Sequence, residues 1–89
     1  MRDFLNHLGI YDEGQQVNKT YIIDFDDINA FNKAFKKLDK SDEIEESEES
    51  SVLNSSVSTI VYNNDNYLIT LSANFDTDEY KLVIQDIGR

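Results

Sequence analysis

Hydrophobic and polar residues alternate along four stretches of the chain, which is the pattern of β-strands with one buried face. The segments Asn63–Asn66 and Asp76–Glu79 separate the last three stretches. Both are rich in Asn and Asp, residues that favour tight turns. The pattern therefore predicts one strand followed later by a three-stranded meander. The predicted strands are Val17–Phe25, roughly Val52–Tyr62, Tyr67–Phe75 and Tyr80–Ile87.

Between the first two predicted strands, apolar residues recur at three- and four-residue spacing, which is typical of an amphipathic helix. Asp26 or Asp27 stands where the N-cap of this helix is expected. A shorter helix is predicted over Asp3–Gly9, with Asp3 as its cap and Gly9 as its left-handed stop. The apolar stripe of the longer helix consists of Ile28, Phe31, Ala34, Phe35 and Leu38.

These elements follow one another in the order α-β-α-β-β-β and predict an α+β fold. We expect an antiparallel sheet of about four strands, with the main helix packed on one face and a short N-terminal helix beside it. The chain has 89 residues, which suits a single small domain spanning residues 1–89. Phe31 and Phe35 are both expected to pack on the sheet.

The segment Ser41–Ser51 is the most polar part of the chain. It contains six acidic residues among the eight from Asp42 to Glu49, and its one apolar residue is Ile44. Such a segment buries too little apolar surface to offset the entropy of ordering it. We therefore expect residues 41–51 to form an acidic flexible loop within the domain.

The formal net charge of −10 is unevenly distributed along the chain. From Ser41 to Tyr80 there are ten carboxylates and neither Lys nor Arg, whereas before Ser41 seven acids nearly balance six bases. A field of one sign repels nucleic acid and anionic membranes and attracts a basic protein surface. The expected partner is therefore a basic protein, with no direct binding of nucleic acid or membrane.

Residues that carry catalysis or bind metals are scarce. Cys is absent, His7 is the single histidine, and the three glycines are isolated rather than grouped in a phosphate-binding loop. Asp24 and Asp76 each begin a segment resembling a calcium-binding loop, but the required Gly and Glu do not follow. A carboxylate pair acting on a glycoside would need a cleft for which so short a chain leaves little room. We therefore expect no catalytic site, no cofactor and no metal, and do not expect an enzyme.

The N-terminal residues lack the basic and apolar regions of a signal peptide, and no apolar run approaches membrane-spanning length. We therefore expect a cytoplasmic protein. Asn, Ile, Lys and Asp are abundant, and Pro is absent. This composition favours an AT-rich genome, such as that of a low-GC bacterium or its phage, so the expected compartment is the bacterial host cell.

The charge distribution predicts a function in binding. We expect a small inhibitor that occupies the basic nucleic-acid site of another protein as a DNA mimic, as phage-encoded anti-CRISPR and anti-restriction proteins do. If the acidic loop and the turns lie on one side, they form a continuous anionic surface, with Tyr62, Tyr67 or Tyr80 as aromatic anchors. The candidate partner-binding residues are Asp42, Glu43, Glu45, Glu46, Glu48, Glu49, Asp65, Tyr67, Asp76, Asp78 and Glu79.

Three alternatives to the mimic remain at this stage. An immunity protein or antitoxin that neutralises a basic nuclease would share the same electrostatics. A non-catalytic adaptor whose acidic loop only keeps it in solution belongs to another class, and acidic runs often have that role. An enzyme is the fourth. If salt strongly weakens partner binding, the DNA mimic and the immunity protein are favoured over the adaptor.

Overall fold

Two helices and six antiparallel strands make up the part of the chain described by the structure, a computed structural model covering residues 2–51 and 57–88. For residues 45–51 only the backbone is described. The strands form one sheet in the order β1-β2-β6-β5-β4-β3, so the fold is α+β, with more strands than predicted. The elements are α1 (Arg2–Leu8), β1 (Gln15–Val17), β2 (Thr20–Phe25), α2 (Ile28–Lys40), β3 (Glu45–Ser51), β4 (Val57–Asn63), β5 (Tyr67–Asn74) and β6 (Glu79–Asp86).

The predicted strand Val17–Phe25 is in fact a hairpin. Asn18 has a φ of 55°, a left-handed conformation that Asn adopts more readily than most residues. The chain reverses there, and Val17 pairs with Thr20. Only β2 continues into the core, while Val17 is exposed. Periodicity alone did not reveal the reversal, because Val17 keeps the alternation of β2.

The predicted meander is confirmed over the described residues. β4 pairs with β5 and β5 pairs with β6, both antiparallel and in continuous register. Residues 52–56, the first part of the predicted strand Val52–Tyr62, lie outside the described residues. The buried face of β5 carries Ile69, Leu71 and Ala73, as the alternation predicts.

The loop predicted for Ser41–Ser51 is wrong for its second part, because Glu45–Ser51 forms the edge strand β3. Its backbone pairs with β4 from Glu45 opposite Asn63 to Ser51 opposite Ser58, with a register shift between Glu46 and Glu48. An edge strand tolerates charged residues because one side remains unpaired, and a bulge is common there. The mobility of the segment stays a prediction. Ile44, just before the strand, is buried and belongs to the core.

One face of the sheet packs against the helices and forms the hydrophobic core. Cross-strand neighbours line this face in rows, such as Ile23 beside Leu82 and Leu82 beside Leu71. Phe31 is buried as predicted, but Phe35 is only half-buried, at the margin of the core. Of the helix residues, Phe31, Ala34 and Leu38 are buried, together with Leu5 of α1.

The helix boundaries follow the predicted signals closely. Asp27 caps α2, since its Oδ1 accepts a hydrogen bond of 2.9 Å from the amide of Ala30. Gly9 ends α1 with a φ of 92°, and its amide donates to the carbonyl of Asn6. The first helix begins at Arg2, one residue before the predicted cap Asp3. Within the described residues, neither helix is long and apolar enough to cross a membrane.

Consecutive turns of an antiparallel meander lie at opposite ends of the sheet. We call the end with the β5–β6 turn, the last residues of β2 and the first residues of α2 the Phe75 end. We call the end with the β4–β5 turn, the β1–β2 turn and the last turn of α2 the Asp65 end. The eight residues of β5 separate the two ends by about 25 Å, at roughly 3.3 Å per residue.

Candidate functional site

The Phe75 end gathers carboxylates from two separate segments of the chain. Asp76 and Asp78 lie in the β5–β6 turn, Glu79 begins β6, and the pairing of Asp24 with Lys81 brings the end of β2 alongside. The nearest cation on these strands is Lys81, whose Nζ lies 3.7 Å from Asp24. This ion pair is exposed and neutralises little of the local field. The six acids of this end, all exposed, are Asp24, Asp26, Asp27, Asp76, Asp78 and Glu79.

The β5–β6 turn is held by its own polar groups. The Oδ1 of Asn74 accepts from the amides of Asp76 at 3.1 Å and Thr77 at 3.3 Å. Asp78 then takes a φ of 54°, which a short acidic side chain adopts more readily than a β-branched one. The turn thereby holds Asp76 and Asp78 in place beside Phe75.

A cluster of aromatic side chains packs beneath the surface of the Phe75 end. The rings of Phe75 and Tyr80 have centroids 6.0 Å apart, and those of Tyr80 and Phe31 are 5.5 Å apart. Phe25 continues the cluster at 6.1 Å from Phe31. Phe75 is 44% exposed and Ile28, one helical turn before Phe31, is 39% exposed. Apolar surface therefore reaches solvent among the carboxylates.

Tyr80 links the cluster to the acidic turn. Its hydroxyl donates a hydrogen bond of 3.3 Å to Oδ1 of Asp78. Burial of the ring raises the pKa of Tyr80, and the Asp78 carboxylate raises it further by its charge and by accepting the hydrogen bond. The hydroxyl therefore stays protonated and continues to donate to Asp78 at neutral pH.

The Asp65 end has a recess rather than a protruding aromatic. Asp42, Glu43 and Asp65 line a cavity of about 430 Å³ with polar Asn neighbours and apolar Leu68 and Ile87. The turn depends on the Asn64 side chain. Its Oδ1 accepts from the amides of Asn66 at 2.8 Å and Tyr67 at 2.7 Å, and its Nδ2 donates to the carbonyl of Glu43 at 3.4 Å.

Basic side chains lie close to the carboxylates at the Asp65 end. The Nε2 of His7 is 2.8 Å from Oε1 of Glu43. A neighbouring recess of about 380 Å³ brings Lys37 and Lys40 to the same wall as Asp42 and Glu43. These lysines belong to the last turn of α2, which finishes at this end. The negative field there is partly balanced by positive charge.

The predicted partner-binding residues thus fall into three groups. Asp42, Glu43, Asp65 and Tyr67 lie at the Asp65 end, whereas Asp76, Asp78 and Glu79 lie at the Phe75 end. The backbone of Glu45, Glu46, Glu48 and Glu49 runs along the edge strand β3. The turns therefore do not share one side of the molecule, as a single anionic surface would require, because the meander places them at opposite ends.

The expected aromatic anchors are not open on the surface. Tyr62 and Tyr80 are buried on the core face, and Tyr67 is half-buried and stacks on Phe4 with centroids 4.6 Å apart. Two aromatic side chains are exposed in the described part of the chain: Tyr11, at 68%, precedes Asp12, and Phe75, at 44%, precedes Asp76. Phe75 is the one at the Phe75 end, just past the end of β5, the strand predicted to include it. Its position immediately before Asp76 in a polar turn is the signal that would have identified it.

Asp24, Asp26 and Asp27 are the other members of the Phe75 end that the sequence analysis missed. They precede Ser41, in the part of the chain where acids and bases nearly balance. The register of β2 against β6, with Phe25 opposite Tyr80, brings them beside the β5–β6 turn. A count along the chain cannot reveal this cluster, since it depends on strand pairing.

In the described part of the chain, no three His, Asp or Glu side chains are grouped as ligands for a metal ion. No protein-family model matches the chain, and neither the curated proteins nor the solved structures include a match. The candidate site is thus defined by its own geometry: exposed carboxylates around an exposed aromatic ring.

Proposed function

We propose that this protein is a small non-catalytic inhibitor that binds the basic nucleic-acid site of another protein as a DNA mimic. The setting that suits it is a bacterial cytoplasm, with a phage-encoded anti-CRISPR or anti-restriction protein as the type of inhibitor. The observation that carries the proposal is the Phe75 end, where six exposed carboxylates come from two segments and Lys81 is the cation on the paired strands.

The spacing of these carboxylates suits a groove that binds phosphates. Adjacent strands lie about 4.8 Å apart, and alternate residues along a strand about 6.6 Å apart. Duplex DNA carries one charge per about 1.7 Å of its axis, counted over both strands. Carboxylates on neighbouring strand ends and turns are spaced more widely than charges along the DNA axis, but they are close enough together for several Lys and Arg side chains of one phosphate-binding groove to pair with them.

An immunity protein or antitoxin against a basic nuclease is the second candidate. The same electrostatics support it, and the exposed Phe75 adds an apolar contact that a specific cognate interface uses. It differs from a general mimic in recognising one partner. A panel of unrelated DNA-binding proteins separates the two, because a cognate inhibitor binds a single member.

Competition with DNA tests the proposal. The protein is immobilised, basic proteins are captured from a low-GC bacterial lysate, and each captured protein is then bound to labelled duplex DNA. We expect the free protein to release the DNA as it reaches stoichiometry with the captured protein, and to show no binding to the DNA itself. Ternary complexes that retain the DNA, or captured proteins without affinity for nucleic acid, would contradict the proposal.

A further inference from the structure

We propose that the Phe75 end, and not the Asp65 end, is the docking surface, and that it takes a basic protein surface with an apolar recess for Phe75. The inference rests on the proposed function insofar as it names the surface that would meet the basic partner. It goes further by assigning specificity to an apolar contact, with the carboxylates arranged around it.

Charge balance separates the two ends. At the Phe75 end, the cation on the paired strands is Lys81, and it already pairs with Asp24. At the Asp65 end, Lys37 and Lys40 lie beside Asp42 and Glu43. A partner lined with Lys and Arg would meet like charges at the Asp65 end. Electrostatic complementarity therefore directs it to the Phe75 end.

The two ends also differ in their exposed apolar surface. Phe75 is 44% exposed and lies on a buried aromatic cluster that holds it in place. Interface hot spots are enriched in aromatic residues surrounded by contacts that exclude water. Tyr67, the aromatic of the Asp65 end, is instead covered by Phe4. An exposed ring on a rigid base costs little entropy on binding.

The same features disfavour other occupants. A second copy of the chain would bring two sets of six carboxylates together, and nucleic acid would bring phosphates against them. A partner with Lys or Arg residues around an apolar recess complements both parts of the surface, because its cations pair with the carboxylates and its recess accepts Phe75. The occupant is therefore a basic protein rather than a second copy or a polynucleotide.

Two short peptides test this assignment on the intact protein. One is an oligolysine, and the other has its central lysine replaced by leucine. Electrostatics alone predicts weaker binding of the leucine peptide, since it has lost a charge. Contact with Phe75 and Ile28 predicts the reverse, by about threefold or more for a partly buried leucine. Amide chemical shifts in an NMR titration locate the binding.

We expect the shifts to concentrate in Asp24–Asp27 and Phe75–Glu79 rather than in Asp42–Ile44 and Asn64–Asn66. Phe75→Ser should reverse the preference, so that oligolysine binds more tightly than the leucine peptide. The amide spectrum of this variant, compared with that of the unmodified protein, verifies that its fold is retained.

Two triple variants that remove the same number of charges complete the test. One triple variant should bind the leucine peptide about tenfold more weakly. It combines Asp26→Asn, Asp76→Asn and Glu79→Gln. The matched triple variant at the Asp65 end should change the affinity for the leucine peptide by less than about twofold. It combines Asp42→Asn, Glu43→Gln and Asp65→Asn.

Shifts centred on the Asp65 end, equal losses in the two triple variants, or no measurable binding of either peptide would overturn the assignment. These outcomes differ from failure of the proposed function. Release of DNA from a captured partner can succeed even if the docking surface is elsewhere, and it can fail while the peptides still bind the Phe75 end.

Discussion

The two ends of the sheet contain acidic turns of similar composition but have different electrostatic environments. The Asp65 end receives the C-terminal turn of α2, so Lys37 and Lys40 lie beside Asp42 and Glu43. The Phe75 end receives the last residues of β2 and the connection to α2, which add Asp24, Asp26 and the N-cap Asp27. The direction of one helix thus concentrates acid at one end and balances it at the other.

A run of like charges along the chain is a poor guide to a charged surface of the folded protein. The stretch from Ser41 to Tyr80 contains ten acids and no Lys or Arg. In the fold, some of them lie beside cations from the first half, and others join acids from that half. The acidic cluster at the Phe75 end therefore contains residues from both halves of the chain.

The aromatic cluster beneath the Phe75 end gives the largest expected difference between the ends. Phe31→Ala should destabilise the protein by about 3–5 kcal/mol, because its buried ring contacts Phe25 and Tyr80. Phe4→Ala, which removes the half-buried partner of Tyr67 at the other end, should cost about 1–2 kcal/mol. Urea denaturation of both variants measures the difference, and equal losses would show that neither end is packed more firmly.

The cap of α2 provides a smaller test at the Phe75 end. Asp27→Ala should cost about 1 kcal/mol, because the amide of Ala30 loses its acceptor. Asp26→Ala is the matched control, since it removes the same charge from the adjacent residue without removing the cap. If chemical denaturation gives the same stability for the two variants, the loss of stability is caused by the removed charge and not by loss of the cap.

Removing carboxylate charges should stabilise the protein at the Phe75 end but not at the Asp65 end. Asp76→Asn together with Glu79→Gln should stabilise the protein by about 0.5 kcal/mol at low salt, since like charges are removed. Glu43→Gln should not stabilise it, because Glu43 pairs with His7. The gain in the double variant should shrink as salt is added. Thermal melts at two ionic strengths measure these changes, and a stabilised Glu43 variant would contradict the difference between the ends.

The smallest expected effect concerns Tyr80. Its pKa is raised above the ordinary value of about 10 by burial and by Asp78. A raised pKa in the folded state contributes stability that is present below pH of about 10 and is lost as the pH rises through the raised value. The stability advantage over Tyr80→Phe should therefore decline in alkaline solution. Urea denaturation of both proteins at a series of alkaline pH values measures this difference in stability. A difference that grows with pH would contradict the direction of the pKa shift.

Local patterns in the sequence determined most of the fold. The alternation in β5, the apolar stripe of α2 and the Asn- and Asp-rich turns each depend on residues close together in the chain, so periodicity identifies them. The same holds for Gly9 and Asp27, whose roles at helix ends follow from backbone conformation and side-chain length. The α+β class follows from the order of these elements.

The tertiary structure alone decided which charges share a surface. β3 forms in a segment that composition assigned to a loop, because the edge of β4 supplies backbone partners and the core accepts Ile44. Phe75 is exposed because the register of β5 against β6 ends at Asn74. Strand pairing and the direction of α2 are relations between distant segments, and these relations placed six carboxylates around one aromatic ring.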